Sequence, residues 1–156
     1  MIEDEFWTIA GVSKILDYEG STKITIPDRL YESEEILRKG RDIRWYINKI
    51  TNTVVVSLND LVGDEYVFVG STSFADNDNS RTTIPAKLFN DYQGRGSHGV
   101  KPEEMKNISW DREGWVYFIY HSGMNEGVKQ SCYTFREGEF DQRFSDDVLD
   151  GVPRFS

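Results

Sequence analysis

The chain is poor in the residues that perform covalent chemistry or hold metals. It has one cysteine, Cys132, and two histidines, His98 and His121. A single thiol cannot close an internal disulfide, so the expected compartment is a reducing cytoplasm. A zinc site takes about four ligands at workable spacing, and these three residues cannot supply it; no metal or other cofactor is expected. No activated nucleophile and no acid/base carboxylate pair stands out, so no enzymatic activity is expected. Long hydrophobic runs are missing as well. No stretch approaches the roughly 18 apolar residues of a membrane helix, and no membrane partner is expected. The opening "MIEDEFW" is acidic and lacks the basic start and apolar stretch of a secretory signal. The sequon Asn107–Ser109 is expected to be silent in that compartment.

Net positive charge is also absent. The formal charge is −9, which taken whole argues against a nucleic-acid partner. Its distribution is more informative. Residues 1–19, 51–77 and 107–156 each sum to −4, whereas 20–50 sum to +2 and 78–106 to +1. Basicity survives in two windows only, and both contain the same motif.

That motif is "TKITIPDRLYES" at Thr22–Ser33, written again as "SRTTIPAKLFND" at Ser80–Asp91. Setting Lys23 on Arg81 aligns Ile26 with Ile84, Pro27 with Pro85, Arg29 with Lys87, and Leu30 with Leu88. Upstream, "VSKILDYEGS" and "STSFADNDNS" each pass from mixed apolar residues into a Gly/Asp/Asn/Ser cluster, the pattern of a strand entering a turn. Proline pushes the preceding isoleucine into extended geometry while its own fixed φ suits the start of a helix. The spacing therefore predicts strand, turn, short strand and helix in each unit.

In the first unit the helix is "DRLYESEEILRK", with acids early, bases late and Gly40 just beyond, as the helix dipole and a glycine cap favour. In the second unit "AKLFNDYQ" runs into "GRGSHG", so one or two turns are expected. "DIRWYIN" and "TVVVSL" read as a hairpin. In the second unit "KNISW", a turn at "DREG" and "WVYFIY" read as its equivalent. The apolar run "WVYFIY" predicts a strand covered on both faces or at a dimer contact. "QSCYTF" adds a further strand, and the last twenty residues read as an acidic, partly ordered tail. One such unit is too small to bury its own face; two copies in one chain bury it together.

Other patterns carry little. "GRGSHG" at Gly94–Gly99 fits G-x-G-x-x-G, but a dinucleotide site needs a strand before it and a helix directly after. It reads as a flexible loop, with Arg95 and His98 as its contacts if it binds anything. Asp76, Asp78 and Asn79 lack the glycine and terminal glutamate of a calcium loop.

The stretch "STKITIPDRLYESEEILRKGRDIRWYINKITNTVVVSL", with its turn, base, Ile-Pro, short helix, glycine and two strands, resembles the SpoVT/AbrB family of swapped-hairpin DNA-binding domains. The second copy resembles it most closely from Phe74 to Leu88. The resemblance implies a mainly β fold with short helices, its two AbrB-like repeats interleaved as an intrachain swapped-hairpin pseudo-dimer. Repeat one covers about 12–60 and repeat two about 66–135, together a tandem domain over 1–135 followed by an acidic tail over 136–156.

The family further implies a sequence-specific transcriptional regulator that binds double-stranded DNA. An antitoxin-like adaptor or protein-interaction module on the same fold is the alternative. The bases carried over are Lys23 and Arg81, just before the Ile-Pro strand, and Lys14 on the preceding strand, with Thr72 as its second-copy counterpart. Arg29 and Lys87 occupy equivalent places after the prolines, and Arg41 and Arg44 belong to a denser cluster at the helix end, where dipole complementarity also accounts for bases. Each neutralised phosphate would release a counterion and make binding salt-dependent. Further partners implied are a protein bound through the acidic tail and a homo-oligomer of pseudo-dimers.

Overall fold

In a computed structural model the residues described are 7–18, 21–27, 42–58, 60–74, 81–92, 107–121, 131–137, 152 and 154–155. They form a mainly β structure of two sheets. The strands are β1 (Trp7–Lys14), β2 (Leu16–Tyr18), β3 (Ser21–Thr25), β4 (Asp42–Asn48), β5 (Thr53–Ser57), β6 (Tyr66–Ser73), β7 (Arg81–Thr83), β8 (Trp115–His121), β9 (Ser131–Arg136) and β10 (Arg154–Phe155). The large sheet runs β10-β1-β8-β9-β5-β4-β6, and the small one β2-β3-β7.

β-branched and aromatic residues fill the central strands, as a pleated surface packed by its neighbours favours. β5, "TVVVS", is buried along its whole length between β4 and β9. Its polar ends are satisfied there, Ser57 Oγ accepting from Ser131 Oγ at 2.7 Å and Thr53 Oγ1 sharing a hydrogen bond with Thr51 Oγ1, and Thr134 Oγ1 of β9 donates to the Val54 carbonyl at 2.8 Å. The β4–β5 turn is held by Asn48, whose Oδ1 accepts from the backbone N–H of Ile50 and of Thr51, an Asx turn. Asn52 then takes the left-handed conformation at φ 55°, which asparagine tolerates better than most residues.

The two ladders that join early strands to late hairpins share one register. On β1, Lys14 faces Trp115, Val12 faces Tyr117 and Gly11 faces Phe118; a bulge then skips Ala10, and Ile9 faces Ile119. On β6, Ser73 faces Asp42, Ser71 faces Arg44 and Gly70 faces Trp45; a bulge then skips Val69, and Phe68 faces Tyr46. The two bulged residues, Ala10 and Val69, both belong to the main core.

That core fills the space between the sheets. Ile24, Ile26 and Ile84 from the small-sheet side meet Ile43, Trp45, Val54, Val56, Val116, Phe118 and Cys132 from the large one. Each fully buried large side chain contributes about 1.5–3 kcal/mol relative to exposure. On the opposite face of the large sheet Ile9, Val12, Tyr117, Ile119 and Phe135 cluster with Trp115, Tyr133 and Val152. β8 is thus covered on both faces, as its unbroken apolar run predicts.

Several expectations are corrected. "KNISW" does not form a hairpin with β8. β8 pairs with β1 and β9, and Trp110 makes only an isolated bridge to Phe89. Trp110 instead exchanges backbone hydrogen bonds with the second motif, its N–H donating to the Leu88 carbonyl and its carbonyl accepting from Asn90, and "QSCYTF", as β9, takes the hairpin position. "VSKILDYEGS" is not one strand: β1 ends at Lys14 in the large sheet and β2 begins at Leu16 in the small one. The second-unit helix, for which one or two turns are expected, is a single turn of 3-10 form at Ala86–Leu88. The expectation of a partly ordered tail is not among those corrected: near its end β10 pairs in parallel with β1, Val12 beside Arg154 and Ser13 beside Phe155. The first-unit helix, the "GRGSHG" loop with Arg95 and His98, and Asp76, Asp78 and Asn79 lie outside the described residues.

Candidate nucleic-acid interface

The repeated motif forms the small sheet. Successive β3 residues alternate between the two faces of the sheet, with Thr22 and Ile24 buried on one and Lys23 half-buried on the other, where Thr25 is buried as well. β3 and β7 pair antiparallel, Lys23 with Thr83, Ile24 with Thr82 and Thr25 with Arg81. Paired residues share a face, so Lys23, Thr25, Arg81 and Thr83 lie on one side. Lys23 and Arg81 are diagonal neighbours there, at a spacing of roughly 7–8 Å for such positions. Both are half-buried and Thr83 is exposed.

Asp17 is the one acid among the described residues of these three strands, and it sits on the other face, opposite Thr22. There Thr22 Oγ1 donates to Asp17 Oδ1 at 3.2 Å and accepts from Arg112 Nη1 at 2.6 Å. This face therefore carries two half-buried cations and the exposed hydroxyl of Thr83, with no carboxylate among its described residues. Such a surface can hold phosphate oxygens by charge-assisted hydrogen bonds.

The remaining candidates are spread around this face. Lys14 is exposed at the end of β1, two residues before Leu16, which pairs with Lys23. Its counterpart by register is Ser73, at the matching end of β6, rather than Thr72. The turn after β6 is one residue shorter than the turn after β1, which displaces the alignment upstream of it. Lys87 is half-buried in the 3-10 turn that follows β7. Arg44 is not part of this surface. It lies on β4 in the large sheet, between Ser57 and Ser71, with Nη1 2.9 Å from Asp60 Oδ1. Arg29 and Arg41 lie outside the described residues.

The exposed hydroxyl of Thr83, and the buried Thr25 on the same face, were not singled out by sequence reasoning. The alternation in "STKIT" and "RTT" marks them, because residues two apart on a strand share a face. Arg112 is a second addition. Its Nε and Nη2 donate to Asp91 at 2.6 and 2.9 Å, and its guanidinium stacks 4.4 Å from the centre of the Phe89 ring. The Arg112 hydrogen bonds hold the Asp91 carboxyl below its usual range, and Asp91 in turn holds the guanidinium more firmly protonated. This pair fixes the end of the second motif to the turn before β8. Burial raises the pKa of Tyr66 and Tyr133; the charges of Tyr133 and Glu65 add to it at Tyr66 and that of Glu65 at Tyr133, while hydrogen bonding with Asn48 opposes it at both.

Among the described residues no group of three or more His, Cys, Asp or Glu side chains could hold a metal ion, and no helix is long and apolar enough to cross a membrane. No protein-family model, curated protein or solved structure matches the chain.

Proposed function

We propose that the protein is a DNA-binding transcriptional regulator of the AbrB type, acting in the cytoplasm, with its repeats interleaved as swapped hairpins about a pseudo-two-fold axis. Three registers support the interleaving. β1 meets β8 and β6 meets β4 through the same sequence of pairs, with a bulge at the same step. Ile24 faces Thr82, its own counterpart fifty-eight residues on. Val55 faces Tyr133, and the two hairpin registers make these counterparts as well. An axis through both pairs relates one half to the other.

The observation that carries the functional reading is the diagonal placement of Lys23 and Arg81 on one face of the small sheet. Two cations related by such an axis meet two related stretches of a duplex, as paired half-sites require. Phosphate contact supplies affinity, and arginine can additionally read guanine edges.

Fluorescence anisotropy on labelled duplex DNA over a range of salt tests this. Binding that weakens linearly in log–log form is expected, with Lys23→Ala and Arg81→Ala each reducing affinity. Absence of binding at low salt, or affinity unchanged in both variants, would sink the reading and leave a protein-binding adaptor on the same fold.

A further inference from the structure

An open sheet edge is a template for another strand, and proteins blunt edges with charge, proline or a covering segment. The two sides of the large sheet are treated differently. β1 is covered by β10, which pairs with Val12 and Ser13. The register counterparts of these residues on β6 are Ser71 and Thr72, and among the described residues no strand lies beyond β6 in that sheet.

β6 lacks the usual protection. Its sequence, "YVFVGSTS", contains no charged residue and no proline, in a chain of which 29% is charged. Phe68 is 52% exposed, whereas its register counterpart Ile9 is 7% exposed within the covered cluster. The Phe68 ring packs edge-on against Tyr46 at 5.5 Å, and Tyr46 packs against Tyr66 at 6.1 Å. An aromatic group thus sits at the rim of an uncharged edge.

We propose that this edge joins two copies of the chain, their β6 strands pairing antiparallel about a two-fold axis. Self-pairing of this kind sets a strand against its own sequence, so any charge near the axis faces its like at a cost. A strand with no charge avoids that cost, which matters in a chain of net charge −9. The pairing satisfies outward backbone groups of both strands and brings the two aromatic groups together, covering Phe68. The inference does not depend on DNA binding.

Sedimentation equilibrium of the full chain over about a hundredfold range of concentration tests it. The wild type is expected to reach twice the 18.1 kDa of one chain. Phe68→Lys and Ser71→Lys, made separately, are expected to weaken association at least tenfold while circular dichroism shows them folded. If Phe68→Lys fails to fold, Ser71→Lys, at an exposed serine, decides alone. A wild type that stays a single chain throughout, or a dimer that the folded lysine variants leave equally tight, overturns the proposal.

Discussion

Lys23 and Arg81 stand on one face of the small sheet, on either side of the Ile24–Thr82 pair. Their positions repeat in sequence, and the antiparallel register turns that repetition into a pair of cations facing the same way. The following expectations rest on this register and on the packing beneath it.

Each phosphate contact contributes about 0.9 to the slope of log affinity against log salt on B-DNA. Lys23→Ala and Arg81→Ala are each expected to lower the slope by about 1, and the double variant by about 2. Arg44→Ala is expected to leave it unchanged, because Arg44 is in the other sheet and is paired with Asp60. Anisotropy titrations at four or more salt concentrations provide the measurement.

Trp45 is fully buried, and its Nε1 donates to Thr72 Oγ1 at 2.8 Å. Thr82 Oγ1 lies 2.6 Å from the same oxygen and 3.0 Å from the Ser73 carbonyl. This chain ties the large sheet to the small one. Thr72→Val keeps the shape but leaves the indole N–H unpaired, and is expected to cost about 1–3 kcal/mol. A lower urea midpoint at unchanged slope is the expected signature.

Trp45 on β4 and Phe118 on β8 are register counterparts, each facing the glycine beside the bulge, Gly70 or Gly11. Both are fully buried in the main core. Phe118→Ala and Trp45→Ala are each expected to cost about 3–5 kcal/mol, with Phe118→Leu costing less because less volume is lost. Similar losses at both positions, measured by chemical denaturation, would show that the two halves share one core.

The Asp91 carboxylate accepts two hydrogen bonds from Arg112, which lower its pKa from 3.8. A pKa depressed by folding gives a contribution that is present above the unfolded value and lost as pH falls through the folded one. The stability difference between wild type and Asp91→Asn is therefore expected to be constant at neutral pH and to shrink below about pH 4. Thermal unfolding followed from pH 7 into the acid range checks this, with a small amplitude because the pair is solvent-accessible.

Much of this architecture is legible in the chain. The two Ile-Pro motifs mark where a strand ends, because proline constrains its own φ and the residue before it. The alternation of "DIRWYIN" and the apolar run of "WVYFIY" mark β4 and β8. The partner of β8 was misread because "KNISW" is close in sequence and has strand-like composition, whereas β9 lies beyond a further loop. The counterpart of Lys14 was displaced by one residue for a related reason. The repeat matches without a gap across the motif, and only the paired ladders reveal that the second turn is shorter.

The sequence by itself determined most of the extended segments, "KNISW" and β10 excepted, the apolar faces of several of them, and that the basic motif occurs twice. These follow from local sterics and from alternation, which act within a few residues. Tertiary structure decided that β1 pairs with β8 and β6 with β4, that Lys23 and Arg81 share a face, that Arg44 is held by Asp60, and that β10 lies beyond β1 while, among the described residues, no strand lies beyond β6. Backbone hydrogen bonds do not read side chains, so many strand partners are equally acceptable locally. The choice falls to the arrangement that buries Ile24, Trp45, Val56 and Phe118 together, and only the folded chain brings those residues into contact.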